Sequence, residues 1–182
     1  MNRTKTLAPL LLTLLLVAPL ARAEEPNWKF GAEVDLLPYL SDGYSISAIA
    51  GKGRLRGRLV RSELTIPDLL TDDDFRDNDL EVVALILDVF LHREQTGWWF
   101  GAGIEQWEGE VTEKDSGTTQ PYETTVVTVG AGYVWRIGRH FTINPWAGVH
   151  IPVGGDRFIH FPSHEFSIDA TPEASLKLGV SF

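Results

Sequence analysis

The 182-residue chain contains no cysteine. Disulfides therefore cannot brace it, thiol chemistry is excluded, and so is a lipid-bearing cysteine behind an export signal. After residue 23 no apolar run approaches the ~18 residues expected of a membrane-crossing helix. Basic residues are scarce. The first 23 residues hold three of the 16 and none of the 25 acids, so 13 basic residues face 25 acidic ones beyond them, a net charge of −12. Phosphate would be repelled by such a chain, which excludes nucleic acid as a partner. No glycine-rich phosphate loop opens a helix. No repeat, low-complexity tract or linker divides the sequence, so residues 24–182 are expected to form one domain.

The N-terminus carries Arg3 and Lys5, then an uncharged run from Leu7 to Leu20, then Ala21-Arg22-Ala23. A positive start, an apolar middle and a small-x-small end predict a signal peptide over residues 1–23. An anchor helix is the alternative, but 14 apolar residues fall short of the ~20 that span a bilayer.

The rest of the chain alternates. Trp28, Phe30, Ala32, Val34 and Leu36 interleave with Lys29, Gly31, Glu33 and Asp35, and comparable segments follow from Tyr44, Arg54, Glu81, Trp98, Val127, Phe141 and Glu173. Period two with one apolar face predicts eight β-strands. The phase blurs at Val60-Arg61-Ser62, where a bulge is expected. The predicted connections are a turn at 41–43, an acidic loop from Asp68 to Asp79, a polar loop from Glu113 to Tyr122 and a long loop from Pro152 to Pro172, separated by short turns. An even strand number with short and longer connections in alternation fits an all-β, eight-stranded, antiparallel up-and-down barrel. With no spanning helix, only a closed barrel could cross a membrane. Trp28, Tyr39, Tyr44, Trp98, Tyr133, Trp135, Phe141 and Phe182 near strand ends read as two interfacial girdles. A soluble eight-stranded barrel is the rival, but its outer face should carry the charges, whereas here the minority face does.

The last segment alternates Ala174, Leu176, Leu178, Val180 and Phe182 with Ser175, Lys177, Gly179 and Ser181 and stops on an aromatic. It resembles the terminal strand of Gram-negative outer-membrane barrels. With segments 101–107, 132–135 and 144–150, the chain resembles the small eight-stranded group that includes outer membrane proteins A and X. The resemblance implies a transmembrane barrel in the outer membrane, a monomer without cofactor. It also implies contacts with lipopolysaccharide and outer-membrane lipids, and delivery by periplasmic chaperones to an assembly machinery that reads Phe182.

Candidate chemistry lies on the inward phase. An eight-stranded barrel is wide enough only for its own side chains, so charges there must pair. The expected lumen residues are Lys29, Glu33, Asp35, Arg54, Arg56, Arg58, Asp88, His92, Glu105, Asn144, Trp146, His150 and Lys177. The ion pairs are expected among Glu33, Asp35, Arg56, Arg58, Asp88, Glu105 and Lys177. Asp72, Asp74 and Asp77, in a stretch with five Asp in nine residues, are candidate ligands for a hard cation, although the spacing is not that of an EF-hand. Ser163 and His164 carry the side chains of an acyl hydrolase, without the strand setting or the Asn of the lipid A deacylases. The leading expectation is a non-enzymatic structural or surface-interaction barrel with a charge-plugged lumen. A narrow channel and a lipid A-modifying enzyme are the alternatives.

Overall fold

The computed structural model describes residues 27–41, 43–67 and 71–182. The expected signal peptide, Asp42 and Asp68 lie outside them. Ten strands follow in order: β1 (Trp28–Asp35), β2 (Tyr44–Lys52), β3 (Leu55–Ile66), β4 (Phe75–Phe90), β5 (Gly97–Glu113), β6 (Thr119–Ile137), β7 (Phe141–Gly155), β8 (Phe158–His160), β9 (Glu165–Ser167) and β10 (Thr171–Ser181). One 3₁₀ turn, Pro38–Leu40, follows β1. Eight strands close an antiparallel ring in the order β1-β10-β7-β6-β5-β4-β3-β2, and β8 and β9 form a separate hairpin. Each barrel strand except the closing β10 lies beside its sequence neighbour, the meander of an up-and-down barrel.

Three tight turns, residues 53–54, 91–96 and 138–140, lie at one end with the start of β1 and the end of β10. This is the turn end. The opposite, loop end carries the remaining connections and the β8–β9 hairpin. The barrel wall is uneven. β4 to β7 run 15–19 residues, more than the ~9–11 that cross a bilayer. No helix among the described residues is long and apolar enough to span a membrane.

Several expected boundaries shift at the loop end. β4 begins at Phe75, inside the expected acidic loop, because Phe75, Asn78 and Leu80 point into the barrel while Asp77 and Asp79 point out. β5 runs to Glu113 and β6 starts at Thr119. The expected 152–172 loop contains the end of β7, the β8–β9 hairpin and the start of β10. No bulge interrupts β3, whose register with β2 and β4 is continuous. The blurred phase has another cause. Arg56 and Arg58 face inward near the turn end, whereas Val60 faces inward and Arg61 outward near the loop end, so the faces exchange chemistry while the backbone keeps its period. The register shifts fall instead between Arg76 and Asp79 and between Thr125 and Val126.

Outward on the turn-end half lie Trp28, Phe30, Leu55, Leu59, Leu85, Leu87, Trp98, Phe100, Trp135, Phe141, Leu178 and Phe182, all exposed. The aromatic girdle is concentrated at this end, where Tyr133 sits 5.3 Å from Trp98 and 4.8 Å from Trp135. Tyr39 and Tyr44 are the members of the expected second girdle found at the loop end.

Candidate functional site

The turn-end half of the lumen is filled by a charged network. Alternation within β3 aims both Arg56 and Arg58 at Asp88 on β4. Arg56 Nε and Arg58 Nε each donate to Asp88 Oδ2 at 2.8 Å, and Arg58 Nη2 donates to Oδ1 at 3.0 Å. Arg56 Nη1 reaches across to Glu33 Oε1 on β1 at 2.9 Å. Asn144 Nδ2 donates to the same Glu33 oxygen at 3.3 Å and accepts from Trp99 Nε1 at 2.9 Å. Lys177 Nζ lies 3.8 Å from Asp35 Oδ2 and 3.9 Å above the centroid of Trp146. Asp35 also accepts from Trp146 Nε1 at 3.1 Å and from Ser175 Oγ. Three buried cations thus meet three buried carboxylates, the balance that makes burial tolerable. Glu33 Oε2 and Arg56 Nη2 are buried without a hydrogen-bond partner among the described residues.

Glycines on the inward phase make the fit possible. A Cβ at Gly132 would stand 2.6 Å from the Trp99 ring, and one at Gly101 would stand 2.6 Å from Asp88 Oδ1. Trp99 in turn faces both guanidiniums, at 5.7 Å from Arg56 and 5.1 Å from Arg58.

Further along the axis, His150 joins two carboxylates. Its Nε2 lies 2.6 Å from Glu173 Oε2 and its Nδ1 lies 3.3 Å from Glu105 Oε2. Thr128 Oγ1 and Trp107 Nε1 donate to Glu105 at 2.6 and 2.7 Å. Beyond this layer the interior turns apolar. Phe75, Leu80, Val82, Ala84, Ile86, Val111 and Tyr122 from the wall pack with Ile159, Phe166 and Ile168 from the hairpin segment. The hairpin therefore closes the loop end with apolar side chains, and Phe75 meets the rings of Phe161 and Phe166 at 5.2 and 5.1 Å.

Glu113 fastens the hairpin tip. Its Oε1 accepts from the N–H groups of Ser163 and His164 at 3.1 and 2.8 Å and lies 3.1 Å from His164 Nδ1, and its Oε2 accepts from Ser116 Oγ at 2.5 Å. Burial pushes this carboxyl up, but the donors outweigh it and hold Glu113 below the usual glutamate range. At the other end the 91–96 turn folds beneath the ring. Gln95, buried and at positive φ (55°), donates to the carbonyls of Gly53 and Leu55 at 3.2 and 3.0 Å. The Glu94 carbonyl accepts from Lys29 Nζ at 2.6 Å and from Arg136 Nη2 at 3.0 Å.

Of the expected ion-pair residues, Glu33, Asp35, Arg56, Arg58, Asp88 and Lys177 lie in the turn-end network and Glu105 lies with His150. Arg54 and His92 stand exposed in turns rather than in the lumen, because each strand stops short of them. Ser163 and His164 do not form a nucleophile–base pair. Ser163 contributes its backbone N–H, and the His164 ring is turned to Glu113 and to Asp74, 3.6 Å away. Asp72, Asp74 and Asp77 are exposed, and among the described residues no three carboxylate or imidazole groups converge as metal ligands. Trp99, Thr128, Glu113 and Glu173 are interior partners that the sequence reading missed. For Trp99 the signal was present in the glycines of its own phase, Gly101, Gly103, Gly130 and Gly132. Outside the loop end, Glu63, Asp79, Glu81, Glu108, Glu110, Glu123 and Asp156 line an open depression of about 920 Å³.

Fold and interior together define a closed, antiparallel, eight-stranded barrel whose inward face carries a charged network towards one end and an apolar cluster towards the other. No family model matches the chain, and no curated protein matches it. Among solved structures it is similar to the crystal structure of Neisserial surface protein A, with 10% identity, a TM-score of 0.48, and coverage of 85% of this chain and 92% of that one.

Proposed function

We propose that this chain is a non-enzymatic barrel of a bacterial outer membrane, monomeric, with its lumen closed and its loop end turned to the cell exterior as an interaction surface. The observation that carries the reading is the pairing of two features on the same strands. An outward apolar band surrounds the turn-end half, and the inward side of that half holds a charge-balanced network. Water outside would disfavour the first, and a dry apolar core is not what the second fills. The turn end then faces the periplasm. Outer-membrane lipids contact the band, lipopolysaccharide surrounds the loop-end half, and periplasmic chaperones and the barrel assembly machinery deliver the chain, with Phe182 as the assembly signal. Phe182 closes the ring by exchanging backbone hydrogen bonds with Phe30 at 2.8 and 3.2 Å.

The closed lumen also separates this reading from a channel. The Gln95 turn, bonded to the Gly53 and Leu55 carbonyls at one mouth, and the apolar hairpin segment packed at the other support a closed lumen over an open path. The test is reconstitution in planar bilayers, with insertion read separately by a heat-dependent shift in gel mobility. A shifted band with no conductance is the expected result. Stable unitary conductance would replace the closed barrel by the channel, and an unshifted band would remove the membrane barrel altogether.

A further inference from the structure

The two ends of the barrel carry opposite charge. Among the described residues, the turn end holds Lys29, Lys52, Arg54, Arg93, Arg136 and Arg139 against one acid, Glu94. Six of the 13 basic residues beyond residue 23 thus gather at one end of an acidic chain. Lys29 and Arg136 are engaged by the Glu94 carbonyl. The side chains of Arg54, Arg93 and Arg139 are exposed and have no partner among the described residues. Arg61 at the loop end differs, because it is held by Glu63 at 3.2 Å and Glu81 at 2.5 Å.

Arg54 adjoins Leu55, Arg93 stands two residues from Leu91, and Arg139 stands two residues from both Ile137 and Phe141. All four apolar neighbours are exposed. The three turns therefore lie at the lower edge of the apolar band, those of Arg93 and Arg139 next to β5 and β6, which carry the Trp98–Tyr133–Trp135 girdle. Aromatic rings of this kind settle at the level of lipid headgroups, and an arginine there can lay its stem on apolar surface and place its charge among phosphates.

We infer that the turn end is a docking surface for anionic phospholipid headgroups, with Arg54, Arg93 and Arg139 as the contacting groups. This rests on the membrane-barrel reading and adds a lipid class and a set of residues to it. It also gives the barrel an electrostatic orientation, with the basic rim on a phospholipid leaflet and the acidic wall beyond the other leaflet.

The experiment uses tryptophan quenching by brominated lipids, since Trp28, Trp98 and Trp135 are exposed beside the rim. The full chain is refolded into vesicles of phosphatidylcholine containing either brominated phosphatidylglycerol or the same fraction of brominated phosphatidylcholine. Gel mobility before and after heating reports whether the barrel has formed. The expected result is a relative association about threefold in favour of phosphatidylglycerol, falling towards parity in the R54Q/R93Q/R139Q variant and, for the unaltered chain, in molar salt. A folded barrel with equal quenching by both lipids would overturn the lipid surface and leave an acidic protein partner as its occupant. A preference that the triple variant retains would overturn the assignment to these arginines. If that variant does not fold, the salt dependence of the unaltered chain decides, and a salt-insensitive preference overturns the proposal. Failure of the unaltered chain to show the mobility shift would remove the underlying barrel reading, and the proposal with it.

Discussion

Near the turn end, β4 points Asp88 into the barrel and Leu87 and Val89 out. A few residues away, near the loop end, the same strand points Leu80 and Val82 in and Asp79 and Glu81 out. The backbone keeps its period of two throughout, yet the two halves obey opposite solvent rules. The turn-end half presents an apolar outer face, with charges inside that pair with one another. The loop-end half is built like a small soluble barrel, with an apolar core around Phe75, Tyr122 and Phe166 and carboxylates outside. The contrast shows that alternation fixes which residues share a face, while only the composition of each face says what that face meets.

The largest effect expected from breaking this contrast is at Asp88, which is fully buried and receives three hydrogen bonds from two arginines. Asp88→Ala leaves Arg58 without its carboxylate and Arg56 with Glu33 alone. Removing one partner from a buried ionic cluster costs about 3–5 kcal/mol. Denaturant titration of the lipid-reconstituted barrel measures it, and a loss below about 1 kcal/mol would mean that water reaches this layer of the lumen.

A sharper comparison places the same new side chain on the outer wall of each half. Leu87→Arg puts a charge in the apolar band and is expected to destabilise by about 2–4 kcal/mol if lipid surrounds it. Glu108→Arg should do the reverse. Glu108 stands directly between Glu81 on β4 and Glu123 on β6, so an arginine there replaces two like-charge contacts by two attractive ones. The expected gain is about 0.2–1 kcal/mol. Equal costs for the two substitutions would mean that the outer wall has one environment along its whole height.

The sequence made the barrel legible because period-two alternation survives across all eight barrel strands, and because a narrow barrel obliges inward charges to pair. The pairs themselves were not legible. Which carboxylate Arg56 meets depends on the stagger between β1, β3 and β4, and local pattern does not encode stagger. The loop-end half was misread for a specific reason. Its charges point outward, so Arg76–Asp79 resembled a loop although that stretch forms part of β4, and Val60-Arg61 resembled a slip in phase. The hairpin was hidden too, since strands of three residues carry too little alternation to recognise. Glu113 read as an ordinary polar loop residue, because its partners, the N–H groups of Ser163 and His164, lie 50 and 51 residues away.

That last contact supports the smallest of the expected effects, and it concerns only the loop-end half. The Glu113 carboxyl is held below its ordinary value of 4.5 by donors on the hairpin tip and on Ser116. A depressed carboxylate stabilises the folded form fully above that ordinary value and loses the contribution as pH falls through the lower folded one. Acidification through and below pH 4.5 should therefore loosen the hairpin, while the backbone ladder that closes the ring, which carries no titrating group, is kept. Proteolysis by an acid-active protease should show severalfold faster cleavage within residues 156–170, with the heat-modifiable barrel intact. Glu113→Gln, which cannot carry the charge, should be cleaved at the faster rate already at neutral pH and should lose the added acid sensitivity. If the variant keeps the pH dependence of the unaltered chain, a different carboxylate governs the hairpin, and Asp74, on the far side of the His164 ring, is the next to replace.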